Sequence, residues 1–384
     1  MFFIITFTLF FVATNAQFST DEIEKILVEL LNNNDTTKVK FENYDGKACE
    51  PRVSMKPKFT KLGRRVSEAK CYEYIWEMEN RENETMNQEL CRNYLITQLK
   101  NGMGPELFLL LDPNVIFGGR PAIPGEYPHM GAVGWRAKDP SVKWVFFCGS
   151  TLISNRFLIT AAHCSKLSVR SKLRDIVNSI PEIVRLGVED IADNQFNING
   201  EPMDIKIKRI IVHPKYAPPK KYYDIALIEL EDEVKFGKVQ PACLWADSDI
   251  SDLGSEGTLT GWGYTEHGAE SNQLLTANVD FIETPQCDNI LKMYRNRNWR
   301  GFRSHQLCAG KLEGGIDTCQ GDSGGPLQVR IPLKTKGKMY WTVGITSFGI
   351  KCGQRNRPGV YTRVSSFIDW IEETVWGSTD GSFK

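Results

Sequence analysis

The hexapeptide Gly321-Asp322-Ser323-Gly324-Gly325-Pro326 embeds a serine among glycines. Such a stretch leaves room for a tight turn and lets backbone N–H groups approach a developing negative charge. Two motifs upstream complete a constellation: Ala161-Ala162-His163-Cys164 and Asp224-Ile225-Ala226-Leu227. A serine hydroxyl is a poor nucleophile at neutral pH and needs a base to take its proton. His163 is suited to that task, because an imidazole titrates near the working pH. The protonated ring then needs a fixed tautomer and a negative charge beside it, and a buried carboxylate supplies both. Asp224 opens an apolar run of the kind that buries such a group. His163, Asp224 and Ser323 together suit nucleophilic acyl transfer, with the N–H groups of Gly321 and Ser323 facing the oxyanion.

The rest of the chain narrows the alternatives. Lys plus Arg and Asp plus Glu both number 47, which gives no electrostatic footprint for nucleic acid. The basic clusters Lys206 to Arg209 and Arg295 to Arg303 read as solvated faces or a macromolecular docking site. The five histidines show no zinc-binding spacing, and no paired Cys-x-x-Cys occurs. No metal is therefore expected at the catalytic centre, and the acidic residues Glu189, Asp190, Asp193 and Glu201 read first as a solvated loop, with structural calcium as the lesser alternative. Glycine-rich stretches lack the strand-to-helix context of a nucleotide site. Short apolar runs separated by Gly, Pro, Asn and Asp, such as Trp144 to Phe147, Thr151 to Ile159 and Val343 to Ser347, predict strands. Phe367 to Val375 has helical apolar spacing.

At its three motifs the chain resembles the chymotrypsin-like serine proteases, from about Ile116 to about Trp376. The resemblance implies an all-β fold of two antiparallel six-stranded β-barrels, with the cleft between them and a C-terminal helix. It places Asp317, six residues before Ser323, at the floor of the primary specificity pocket, with Gly349 and Gly359 as small pocket walls and Ser347 beside them. A carboxylate there would pair with a substrate Arg or Lys. Phe348 departs from the usual tryptophan while keeping a flat apolar wall. The resemblance also implies the disulfides Cys148 to Cys164, Cys287 to Cys308 and Cys319 to Cys352. Of the remaining cysteines, one of the upstream three is expected to join Cys243; Cys71 is favoured, leaving Cys49 for Cys91.

Met1 to Ala16 reads as a secretory signal, and ten cysteines, an even number, fit an oxidising compartment outside the cell. Residues 17–115 are polar and charge-rich and read as a poorly structured, disulfide-tethered pro-region, with helical spacing at Asp21 to Leu31 and glycosylation sequons at Asn34 and Asn83. It has three cysteines where a clip domain has six, so any clip is degenerate. Residues 116–384 form the expected protease unit. By resemblance, cutting between Val115 and Ile116 frees an α-ammonium that pairs with Asp322. Val115 is not basic, so an enzyme with an Asp317 pocket would depend on a different, elastase-like or chymotrypsin-like activator.

The composite resemblance is to arthropod clip-type cascade proteases. It implies a protein substrate, such as a downstream zymogen or cytokine precursor, and a serpin-type inhibitor. Immune, melanisation or clotting cascades and venom secretion fit it, with no nucleic-acid or membrane partner. A digestive trypsin and a non-catalytic binding homologue are the alternatives; all three motif residues being present argues against the second.

Overall fold

The computed structural model describes residues 49, 54–100, 120–122, 125–167, 173, 175–192, 203–263, 271–314, 322–333, 338–349 and 354–377, with side chains up to residue 91 in the first helix. The expectations placed on the signal segment, the helical spacing at Asp21 to Leu31, and on Asn34, Val115, Ile116, Asp193, Glu201, Asp317, Cys319, Gly321 and Cys352 lie outside the described residues.

Two closed antiparallel β-barrels make up most of the fold. Strands β1 (Arg120–Pro121), β2 (Met130–Arg136), β3 (Trp144–Leu152), β4 (Phe157–Thr160), β5 (Ile183–Leu186), β6 (Met203–Val212) and β7 (Ala226–Leu230) come first in the chain. The first barrel closes in the order β2-β3-β4-β7-β6-β5. The second half contributes β8 (Cys243–Leu244), β9 (Glu256–Gly261), β10 (Leu275–Ile282), β11 (Gln306–Gly310), β12 (Pro326–Arg330), β13 (Tyr340–Phe348) and β14 (Gly359–Arg363). Its ring runs β10-β11-β14-β13-β12-β9, and the pairing of β9 with β10 closes it. β1 crosses over to pair with β10, and β8 lies parallel to β13.

Burial explains why these segments become strands. β4, β5 and β7 are buried along their whole length and are mostly apolar, with the buried Arg185 of β5 paired to Asp204 and the buried Glu229 of β7 paired to Lys208 and Arg209. The apolar run from Thr151 to Ile159 is divided between β3 and β4. Ser154 breaks it, because its Oγ accepts hydrogen bonds from the backbone N–H groups of Arg156 and Phe157 at 3.3 and 3.0 Å and fixes a turn. Trp135, Leu152, Leu158, Leu186 and Leu227 fill the first barrel, and Leu259, Val279, Leu307, Leu327 and Tyr361 fill the second.

Among the described residues three α-helices decorate this frame: α1 (Val66–Lys100), α2 (Thr284–Ile290) and α3 (Ile368–Trp376). Through Phe367, Ile368 and Ile371, α3 and the turn before it pack on the first barrel's core, although the chain reaches them from the second. α1 arises within the polar segment before the barrels, which the sequence predicts to be poorly structured and which instead forms a long helix there. Its buried positions Cys71, Tyr74 and Met78 are spaced as one narrow helical stripe. They meet Cys243 of β8 together with Ile331 and Met339, which flank the chain between β12 and β13. Glu68 receives the backbone N–H of Arg65 at 3.1 Å, which satisfies one donor at the helix start. The Arg65 guanidinium reaches Asp369 and Glu372, and Glu372 Oε1 also accepts from Ser67 N and Oγ at 3.0 and 2.6 Å. The disulfide between Cys71 and Cys243 fastens the same face, and Cys49 is bonded to Cys91.

The two barrels are joined by a buried polar link. His129, just before β2, lies 2.6 Å by Nε2 from Oε1 of Gln328 on β12, and Gln328 Nε2 donates to Thr260 Oγ1 on β9 at 3.0 Å. Burial pushes the His129 imidazole down to about 4. The unfolded chain therefore binds this proton first as the pH falls, and stability that is present above about 6.5 is lost toward 4. A urea-unfolding series should show His129 contributing a loss of about 3 kcal/mol across that window. His129→Asn should flatten the slope.

Candidate functional site

His163 sits in the 3-10 turn Ala162–Ser165 that follows β4, and the disulfide between Cys148 of β3 and Cys164 pins that turn. Closing a loop of this size contributes about 3 kcal/mol when the constraint acts on the unfolded chain. Asp224 lies two residues before β7 and is 1% exposed. Its Oδ1 accepts the backbone N–H of His163 at 2.9 Å, and its Oδ2 lies 2.8 Å from His163 Nδ1. A third donor, Ser347 Oγ on β13, reaches Oδ2 at 2.5 Å. The Asp224 carbonyl accepts from Thr362 Oγ1 on β14 at 2.8 Å. The first barrel's aspartate is thus held by two strands of the second.

Burial alone would raise the Asp224 carboxyl, but the neighbouring His163 and the hydrogen bonds from His163 and Ser347 outweigh it and hold the group below the usual carboxylate range. An ionised Asp224 accepts only, so the His163 proton belongs on Nδ1. Nε2 then carries the lone pair that a general base requires.

Ser323 is half-buried on a turn clamped from both sides. Its carbonyl accepts from Gly149 N on β3 at 2.8 Å. Gly324 N donates to Thr346 O, and Thr346 N donates to Gly325 O, both at 2.9 Å. Cys164 Sγ, already in a disulfide and so without a proton, lies 3.6 Å from the Ser323 carbonyl oxygen. The serine turn therefore rests against the histidine turn. Gly324 has φ +81°, and a Cβ there would stand 2.2 Å from Thr160 Oγ1 and 2.5 Å from Gly149 O. Only glycine fits.

Asp322, the residue before Ser323, accepts Gly263 N through its Oδ1 at 3.1 Å. A Cβ on Gly263 would lie 2.5 Å from both carboxylate oxygens, so a larger residue there would displace the Asp322 carboxylate. Gly359 is buried at the start of β14, whereas Gly349 is exposed just past β13. Phe348 lies between Ser347 and Gly349 and packs edge-on against Trp299 with ring centroids 5.7 Å apart. The disulfide between Cys287 and Cys308 anchors α2 to β11 nearby.

Several contacts at the site have no local signature in the sequence. The Ser347 hydroxyl touches Asp224 itself, a different contact from the pocket role the resemblance assigns it. Tyr223, with φ +57°, is sandwiched between the rings of His213 and His305 at centroid distances of 5.5 and 4.3 Å. His305 Nε2 accepts Tyr223 N at 3.3 Å, and burial followed by the Arg303 charge pushes this imidazole down to about 4. A neutral stack thus braces the left-handed residue next to Asp224. Adjacent aromatic residues in the sequence hint at packing, but not at these partners.

Cys148, His163 and Cys164 place ligand-type atoms within 4.8 Å of one another, yet both sulfurs are in a disulfide and offer no thiolate to a metal. In the acidic stretch, Glu189 accepts from Gly125 N at 2.7 Å, and Asp190 accepts from Ala192 N and Gln273 Nε2 at 2.8 and 2.6 Å. Among the described residues no helix is long and apolar enough to cross a membrane.

The family description "Trypsin" matches residues 116–371. "Serine protease snk" of Drosophila melanogaster is 38% identical over 323 residues, which cover 82% of this chain and 66% of that protein. "Phenoloxidase-activating factor 1" of Holotrichia diomphalia is 34% identical over 69% of this chain and 71% of its own length. "Clotting factor G beta subunit" of Tachypleus tridentatus is 34% identical over 69% of this chain and 81% of its own. The chain thus spans about two thirds of the first of these relatives, and 38% of "Serine protease Hayan" from Drosophila melanogaster.

Removing the Ser347 hydroxyl deletes one donor to a buried charge, worth about 1.5 kcal/mol. Ser347→Ala should therefore lower kcat roughly tenfold on a peptide amide and leave KM nearly unchanged. Gly324→Ala should abolish turnover, because the added methyl displaces the Ser323 turn. Steady-state kinetics, with thermal unfolding to verify folding, would measure both.

Proposed function

The chain belongs to the trypsin family of serine proteases, and on that premise we propose that it is a secreted endopeptidase, made as an inactive precursor, that cleaves proteins after Arg or Lys in an extracellular cascade. The observation that carries the catalytic part is the buried Asp224 carboxylate on Nδ1 of His163, beside the clamped Ser323 turn. His163 Nε2 takes the Ser323 proton as Oγ attacks the substrate carbonyl. The N–H groups of Gly321 and Ser323 stabilise the oxyanion. The imidazolium, stabilised by Asp224, then protonates the leaving amine. Water hydrolyses the resulting acyl ester by the same steps in reverse order of partners. This chemistry needs no cofactor.

In this reading Asp317 receives the substrate cation and Gly349 and Gly359 serve as small pocket walls. Cutting after Val115 frees the Ile116 ammonium to pair with the partly buried Asp322 carboxylate, whose Oδ1 accepts Gly263 N before the cut. The activator is a protease of different specificity, since Val115 brings no cation. Cascade relatives support a protein substrate, such as another zymogen or a cytokine precursor, and a serpin-type inhibitor fits an enzyme of this kind. The bond between Cys71 and Cys243 would keep the pro-region attached after cutting. Asn83 is exposed on α1 and available for glycosylation during secretion.

The test is to treat the precursor with an elastase-like protease, sequence the new N-terminus and assay Arg, Lys and Phe amides. Ile116 should appear as the terminus, with hydrolysis of Arg and Lys amides that Ser323→Ala lacks. Correct cutting without any hydrolysis would refute the enzymatic reading.

A further inference from the structure

We propose that a basic wall beside the triad selects substrates carrying Asp or Glu in the few residues before the cleaved Arg or Lys; this rests on the function proposed above. Two chain segments build the wall. Residues 292–303 contain Lys292, Arg295, Arg297, Arg300 and Arg303 with no acidic residue, and residues 214–223 contain Lys215, Lys220 and Lys221 with none either.

The fold laces these segments together at the side of Asp224. Lys221 N donates to Asn298 O at 3.0 Å, and Arg300 N donates to Tyr222 Oη at 2.8 Å. Tyr222 Oη in turn donates to Gly301 O at 2.9 Å, and the Arg303 guanidinium lies 5.6 Å from the centroid of the Tyr222 ring. Trp299 is buried beneath them and, with Tyr222 and Phe348, belongs to one apolar cluster. The Lys221 ammonium stands 5.4 Å from the centroid of the Phe348 ring.

Phe348 gives this placement its meaning. It directly follows Ser347, which holds Asp224, and directly precedes Gly349. The substrate's leaving amine must meet His163, so the chain after the cleaved bond departs on the side of the Cys148 to Cys164 disulfide. The chain before the bond is left to cross Phe348, under the Lys221 ammonium and the exposed rim of Arg300 and Arg303. Arg295 is paired with Asp288, whereas among the described residues Lys221, Arg297, Arg300 and Arg303 form no ion pair. These cations are half-buried or exposed and available to carboxylates. A fixed field of one sign along a groove discriminates between acidic and neutral side chains and is screened by salt.

The experiment uses the full chain, activated by cutting, and paired peptides that share an Arg at the cleaved position and carry Asp or Asn at the three preceding positions. The ratio of kcat/KM for the Asp peptide to the Asn peptide should be tenfold or more at low salt. It should fall as salt rises, and it should drop to near one in Lys221→Ala combined with Arg300→Ala. Lys221→Glu should push it below one, and circular dichroism would verify that the variants fold. Turnover of both peptides with a ratio near one in the unmodified protein would overturn the inference and leave the protease reading standing. No turnover of any Arg peptide would instead defeat the protease reading. Binding of a sulfated polysaccharide that depends on these residues, with a peptide ratio near one, would reassign the wall to polyanions and likewise overturn the proposal.

Discussion

The buried carboxylate of Asp224 is the contact on which the rest of the site depends. A charge at 1% exposure is tolerable only when its lone pairs are used, and three donors use them: His163 N, His163 Nδ1 and Ser347 Oγ. Two of those donors belong to the first barrel and one to the second. The same residue's carbonyl is held by Thr362 on β14. The interface between the barrels is therefore also the device that orients the imidazole, and neither barrel alone contains it. The His129 to Gln328 link performs a similar joining task away from the chemistry, without a charge.

Around that centre the glycines make space for atoms that would otherwise collide. Gly324 lets the Ser323 turn approach Thr160 and Gly149, and Gly263 lets Asp322 lie against the backbone beyond β9. The turn is braced by backbone hydrogen bonds to β3 and β13, so its position follows from both barrels. α1 adds a third layer at a distance from this cleft, fastened by Cys71, Arg65 and the apolar stripe through Met78. Its ties to Glu372 and Asp369 bind α1 to α3, which packs on the first barrel's core. The ion pairs there include an exposed carboxylate, Asp369, and contribute less than the buried stripe and the disulfide.

Individual strands were legible because short apolar runs and turn residues are local signals, whereas their closure into two barrels was implied only by the resemblance carried on the three motifs. The motifs around His163, Asp224 and Ser323 were legible because tight turns and buried carboxylates impose demands on immediate neighbours. What stayed hidden was long-range. Ser347 lies 123 residues from the carboxylate it touches, and Ser67 lies 305 residues from Glu372. α1 escaped notice because it buries one narrow stripe and leaves its other faces polar, which dilutes the periodic signal in a charge-rich segment. The split between β3 and β4 was missed for the opposite reason: a single serine, acting through its own hydroxyl, interrupted an otherwise strand-like run.

The most direct test of this account is proton NMR of the uncut protein at neutral pH, observing the proton shared between His163 Nδ1 and Asp224. A far-downfield resonance that disappears in Asp224→Asn and moves in Ser347→Ala would establish that both barrels hold the carboxylate before any cut is made. Absence of that resonance, or its persistence in Asp224→Asn, would contradict the arrangement on which the rest of the site is built.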